Sequence, residues 1–240
     1  PLTHNFLLRY YAGVRDGKDG KEKAQKALAM SLNTLRSMAR GGIYDQIGGG
    51  FHRYATDARW HVPHFEKMLY DNAQLARNYL EAYQITREES FADVARGILE
   101  YILRDMTNPG GGFYSAEDAD SLPREIPGKP SGTDHKDKKE GAFYVWETEE
   151  LKKMLTSREY DVFRYHYGIR PEGNAESDPF GEFKGKNILF VAHSLTETAG
   201  KFNMSESEIQ GILGECRKRL YNARLERPRP HLDDKVLTSW

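Results

Sequence analysis

A single cysteine, Cys216, occurs among the 240 residues. That scarcity excludes an intramolecular disulfide and a thiolate zinc cluster, and the helical pattern around the residue predicts a buried, inert thiol. Long apolar runs are missing too. No stretch approaches the roughly 18 residues of a bilayer-spanning helix, and the first residues carry no secretory signal pattern. Excess charge of either sign is also lacking, because 35 Lys and Arg residues face 36 Asp and Glu for a net charge of -1. No global field draws the chain to nucleic acid or an anionic membrane, so a small-molecule partner and a soluble protein of the cytoplasm or an organelle interior are expected. The chain opens on Pro1 and stops at Trp240 without a break in pattern, and a longer parent protein is expected.

Helical periodicity fills much of what is present. Ala24, Ala27, Leu28, Met30, Leu32, Leu35 and Met38 predict a helix over 21–39, ended by Gly41 and Gly42. Pro63 suits a first helical turn, and Phe65, Met68, Leu69, Leu75, Leu80 and Tyr83 extend an apolar face behind it. Phe91, Val94, Ile98, Ile102 and Leu103 predict the partner helix of a hairpin over 90–106. Residues 112–116 and 142–146 read as short strands, joined by a Pro-, Gly- and Lys-rich segment, 121–139, that predicts an exposed, mobile tip. Short helices over 147–155 and 159–167, a brief apolar strand over 187–192 and a last helix over 205–223 follow.

A glycine-then-aromatic theme recurs at Gly50-Phe51, Gly112-Phe113 and Gly141-Ala142-Phe143, the first two about one helix pair apart. Helix pairs that return repeatedly to one centre predict a mainly α fold. Its expected form is an incomplete (α/α) helical-hairpin toroid with small β-hairpin excursions, a single partial domain over 1–240. An open helical solenoid is the alternative.

The densest chemistry lies in 41–71, GGIYDQIGGGFHRYATDARWHVPHFEKMLYD, where glycines, aromatics, three histidines and several ionisable groups share one connection. Ordinary helix–helix connections run about two to eight residues. With 62–73 (VPHFEKMLYDNA), 111–121 (GGFYSAEDADS), 140–146 (EGAFYVW) and 232–240 (LDDKVLTSW), this stretch resembles the spermatogenesis-associated protein 20 family. The resemblance covers almost the whole chain. It implies a toroid of the six-hairpin glycosidase and N-acylglucosamine 2-epimerase type, of which this chain is the first part. It also implies a thioredoxin-like domain upstream and further toroid downstream, both outside the sequence, so no redox role falls on any residue here.

Two chemistries fit the residues. His52 and His64, on opposite faces of an opened sugar, would exchange the proton at C2 while Arg53 stabilises an enediolate, which is epimerase or isomerase chemistry. Glu66, Asp71, Glu117, Asp118 and Asp120 form a carboxylate set suited instead to glycoside hydrolysis. Tyr54, Trp60, Phe113, Tyr114 and Trp146 offer flat faces for a saccharide, with Asp71 reading hydroxyls, though aromatics also fill cores. Loop hydrogen bonding and helix capping are the plain roles that compete for the histidines and acids. A non-catalytic interaction protein on the same scaffold is the third expectation. Pro63 interrupts the His61-x-x-His64 spacing, so no metal site is expected, and nothing calls for a cofactor. Asp233, Asp234 and Lys235 read as a structural ionic network, and the charged stretches 136–140 and 224–229 as solvated loops.

Overall fold

The computed structural model describes residues 1–15, 20–123, 137–176, 178 and 181–237. Among them are eight helices and eight two-residue strands. Helix α1 (Leu2–Val14) packs on α2 (Lys21–Arg40) and α3 (Leu69–Thr86), and α3 forms an antiparallel hairpin with α4 (Glu89–Asp105). Leu35, Phe51, Leu75, Tyr79, Phe91 and Ile98 interlock there as the first core. A second core lies under α5 (Thr148–Met154), α6 (Ser157–His166), α7 (Leu195–Phe202) and α8 (Glu206–Leu225), centred on Trp146, Phe163, Leu213 and Leu220. Phe65, Phe143, Tyr144 and Ile188 make a third, smaller core.

Helices α6, α7 and α8 each open on a capping box: Thr156, Ser194 and Ser205 accept from the backbone three residues on, and Glu159, Glu197 and Glu208 reach back. Cys216 is buried on α8, and burial pushes its thiol up to about 12, the inert state expected.

The strands tie the connections together. All pairings are antiparallel: β1 (Tyr54–Ala55) with β2 (Pro63–His64), β3 (Lys67–Met68) with β5 (Ala116–Glu117), β4 (Phe113–Tyr114) with β8 (Val236–Leu237), and β6 (Asp120–Ser121) with β7 (Lys139–Glu140). Several expectations change accordingly. Pro63 begins a strand, not a helix, because 63–68 is consumed by two ladders and the helix starts at Leu69. Residues 141–144 form a turn, and 187–192 contribute one isolated bridge, Asn187 to Trp146, in place of a strand. Most of the predicted tip, 124–136, lies outside the described residues. Gly50, Gly112 and Gly141 all have positive φ, so the recurring glycine marks a left-handed turn before each aromatic return. At Gly50 a Cβ would also sit 2.5 Å from the Tyr101 ring.

Candidate functional site

The connection after α2 and the strands β1–β7 place two ionic groups side by side, one buried and one open. Asp45 is the hub of the buried group. One of its oxygens accepts from the backbone of Ile47 and Gly48, each at 3.0 Å, and from Arg224 at 2.8 Å; the other accepts from Lys67 Nζ at 2.9 Å. Lys67 also donates to the Gly49 carbonyl at 2.9 Å and stands 4.3 Å from the Tyr101 ring centre. Tyr101 in turn donates to Glu117 at 2.8 Å. All four charged residues are almost completely buried, Lys67 to within 1% and Glu117 to within 3%. Burial opposes ionisation of Asp45, but Arg224 and Lys67 offset it and hold the carboxyl well below its usual range. Gly48 admits Arg224, whose Nη2 would lie 2.1 Å from any Cβ there.

His52 belongs to this interior. It is 2% exposed, its Nδ1 donates to the Phe65 carbonyl at 2.8 Å, and its ring stands edge-on to Tyr144. Burial, with Lys67 adding repulsion, lowers its pKa to about 3, so the imidazole is neutral near pH 7. Trp146 is likewise interior, fully buried in the second core with Arg227 stacked 3.9 Å from its ring centre. Arg224 and Arg227, read from sequence as part of a solvated loop, are buried because Asp45 and Glu150 supply their counter-charges.

The open group assembles around His64. The β6–β7 pairing brings Glu140 to it, and His64 Nδ1 lies 2.7 Å from Glu140 Oε1. The same oxygen accepts from the Phe65 amide at 3.1 Å, which fixes the carboxylate. His64 Nε2 stands 3.8 Å from Glu66, Glu66 binds Arg53 at 2.7 Å, and the half-exposed Tyr54 ring stacks on the imidazole at 5.0 Å. Asp120, directly across the ladder from Glu140, has its pKa raised by partial burial, then by Asp118 and Glu140. Asp71 has its own pKa raised by burial, opposed in part by Arg53. Four residues singled out by sequence, His64, Arg53, Glu66 and Tyr54, are thus in mutual contact, with Asp118, Asp120 and Asp71 beside them. Glu140 was overlooked; only its long-range pairing reveals it.

Trp60 packs half-buried against the first core with φ of 64°, a conformation that side chains rarely adopt. Asp57 holds that turn by accepting from the backbone of Arg59, His61 and Val62.

A cavity of about 510 Å³ adjoins the open group. Tyr114, Glu117, Lys138, Arg229, His231 and Asp234 contribute to its wall. Lys138 links the two, standing 3.9 Å from Asp118. Arg229 is fixed by Asp105 at 2.6 Å, and Arg104 holds the other oxygen of that carboxylate. Neither His52 nor His64 lines this cavity, and Phe113 lies beside it in β4, packed against the first core. Asp233 pairs with Lys235 at 2.8 Å, the structural bridge expected there. No helix among the described residues is long and apolar enough to cross a membrane.

No family model matches the chain. Curated proteins do. Spermatogenesis-associated protein 20 of Homo sapiens is 43% identical over 251 aligned residues, covering 100% of this chain and 30% of the human protein. The Mus musculus protein of the same name matches equally, at 43%. An uncharacterized Caenorhabditis elegans protein is 39% identical over 98% of the chain and 32% of its own length. The chain therefore spans about 30% of the length of the curated relatives it matches. Identity at this level, sustained from end to end, makes the chain a homologue of spermatogenesis-associated protein 20 and a member of that family.

Proposed function

We propose that this chain carries the acid/base part of a carbohydrate-active site, and that the chemistry is proton transfer on an opened sugar. The observation that carries the reading is the His64–Glu140 contact of 2.7 Å. A carboxylate on Nδ1 fixes the tautomer and ring orientation and leaves Nε2 as the working nitrogen, the arrangement that an oriented general base requires. Arg53 flanks it as a cation and Asp120 as a carboxyl group whose pKa is raised by partial burial and by Asp118 and Glu140. The closed helical-hairpin toroid belongs to this same proposal, since the helical pairs and their connections are what such a ring would contribute.

Of the two histidines read as bases, His52 is interior and His64 open, which favours isomerisation over a two-base epimerisation. His64 takes the proton from C2 of an aldose, the electron pair forms the enediolate, and the same imidazolium returns a proton to C1 to give the ketose. Asp120 donates to O1 and recovers a proton from O2. Arg53 lowers the energy of the enediolate by its charge.

The test is proton NMR of the complete parent protein with a panel of aldoses in deuterated water. Deuterium at C1 of a ketose product, and at C2 of the aldose re-formed from it, is expected, with His64→Ala lowering exchange by at least ~100-fold. Absence of exchange with every sugar, or exchange indifferent to His64→Ala, would overturn the assignment. A second reading is glycoside hydrolysis, favoured by the closeness of Asp120 to Asp118, with the Asp120 pKa raised by partial burial and by that neighbour, the kind of carboxyl pairing that acid-assisted cleavage uses. New reducing ends from oligosaccharides, lost in Asp120→Asn, would identify it.

A further inference from the structure

We infer that the 510 Å³ cavity beside Lys138 binds an uncharged saccharide and discriminates against phosphorylated and carboxylated sugars. The inference rests on the saccharide reading above, and names the substrate class, but it does not depend on His64 being the base. Its volume lies within the roughly 300–1,000 Å³ of small-molecule sites.

The wall has two characters. Tyr114, Leu232 and Leu122 offer apolar surface, joined by the rigid rings of Pro228 and Pro230. These suit the C–H face of a pyranose, which packs on flat apolar groups. Opposite in character are the exposed Asp234, a carboxylate able to accept from sugar hydroxyls, and His231, with the buried carboxylates of Glu117 and Asp105 behind them engaged by Tyr101 and by two arginines.

Charge decides the class. Among the described residues, three carboxylates in the wall face two permanent cations, and both cations are already engaged. Arg229 is bound to Asp105 at 2.6 Å, and Lys138 stands 3.9 Å from Asp118. Asp105 is itself held by Arg104 on its second oxygen, with its pKa lowered by these two guanidinium hydrogen bonds against the opposing effect of burial. A phosphate or uronate would have to pull Arg229 from a part-buried, charge-assisted pair while standing beside Glu117 and Asp234, which repel it. A hydroxyl needs neither change. A metal ion has no better case, because no three His, Cys, Asp or Glu groups among the described residues are placed to hold one.

The experiment is ligand-observed saturation-transfer NMR on the complete parent protein. The probes are glucose, N-acetylglucosamine and maltotriose against glucuronate and glucose 6-phosphate, each titrated to a Kd. At least one neutral sugar is expected to bind at least tenfold more tightly than both charged ones. Tyr114→Ala should weaken that sugar at least tenfold, and Tyr114→Phe, which keeps the ring, should not. Asp234→Asn, an exposed change that leaves the fold intact, should narrow the gap to glucuronate severalfold. Tighter binding of the charged sugars, binding by none of the five, or a folded Tyr114→Ala protein with unchanged affinity would each overturn the inference. His64→Ala separates the two claims: it should keep sugar binding while losing C2 exchange. Neutral-sugar binding without exchange in the unaltered protein would sink the isomerase reading and leave this one standing.

Discussion

The two ionic groups use the same kinds of side chain for opposite ends. Around Asp45 the acids and bases are sealed from water, both Asp45 oxygens and the Lys67 ammonium have fixed protein partners, and two tyrosine rings close the space. Around His64 the pairs are equally short, but the imidazole, Glu66 and Glu140 are each about a quarter exposed. Exposure, more than distance, separates a clamp from a reactive group. The Asp45 group joins the first connection to α8 and to β3; Glu66 of the His64 group is the chain neighbour of Lys67 and still meets solvent.

The largest expected difference between them is in stability. Lys67→Met leaves Asp45 and Glu117 buried without their shared ammonium, and removal of one partner of a buried pair costs about 3–5 kcal/mol. Urea unfolding should report a loss in that range. A loss below about 1 kcal/mol would mean that water reaches the cluster and that the contrast is false.

The pH dependence sharpens the same contrast. Because His52 titrates near 3 in the folded chain and near 6.5 when unfolded, the unfolded state binds more protons throughout that interval. Stability therefore rises with pH between about 3 and 6.5, at up to about 1.4 kcal/mol per pH unit from this residue, and levels off above. His166, lowered to about 4 by burial and then by Arg217, contributes over a narrower window with the same sign. Unfolding measured at pH 7, 5.5 and 4.5 should show the slope, and His52→Gln should reduce it. An unchanged slope in the variant would show that His52 is protonated in place.

These effects also mark what a local reading of the sequence can reach. The helices α2, α4 and α8 were legible because their apolar spacing is a property of neighbouring residues. The capping box of Ser194 and Glu197 was equally available, but α7 is only eight residues long and its periodicity says little. By contrast, the strand at Pro63–His64 and the clamp depend on distant partners. Lys67 pairs in register with Glu117, and Arg224 reaches Asp45 across 179 positions. A run of arginines near α8's end looked solvated because its counter-charge lies at the other end of the chain. His64, Arg53, Glu66 and Tyr54 were found together because one ladder and its turn unite them. Glu140 and Arg229 needed the fold.

Substitutions in the open group should cost little stability. Glu140→Gln removes charge from a pair that is partly exposed, so the unfolding free energy should fall by no more than about 1 kcal/mol. Its effect on C2 exchange should be far larger, at least ~10-fold, because the neutral amide no longer stabilises an imidazolium forming at His64. Arg53→Gln should be smaller still on stability, with an unfolding midpoint unchanged within error, since its partner Glu66 remains accessible to water. If either change destabilised the fold as strongly as Lys67→Met, the open group would be a second clamp. The contrast between holding and exchanging protons would then vanish, and with it the reason to place chemistry at His64 ahead of Asp45.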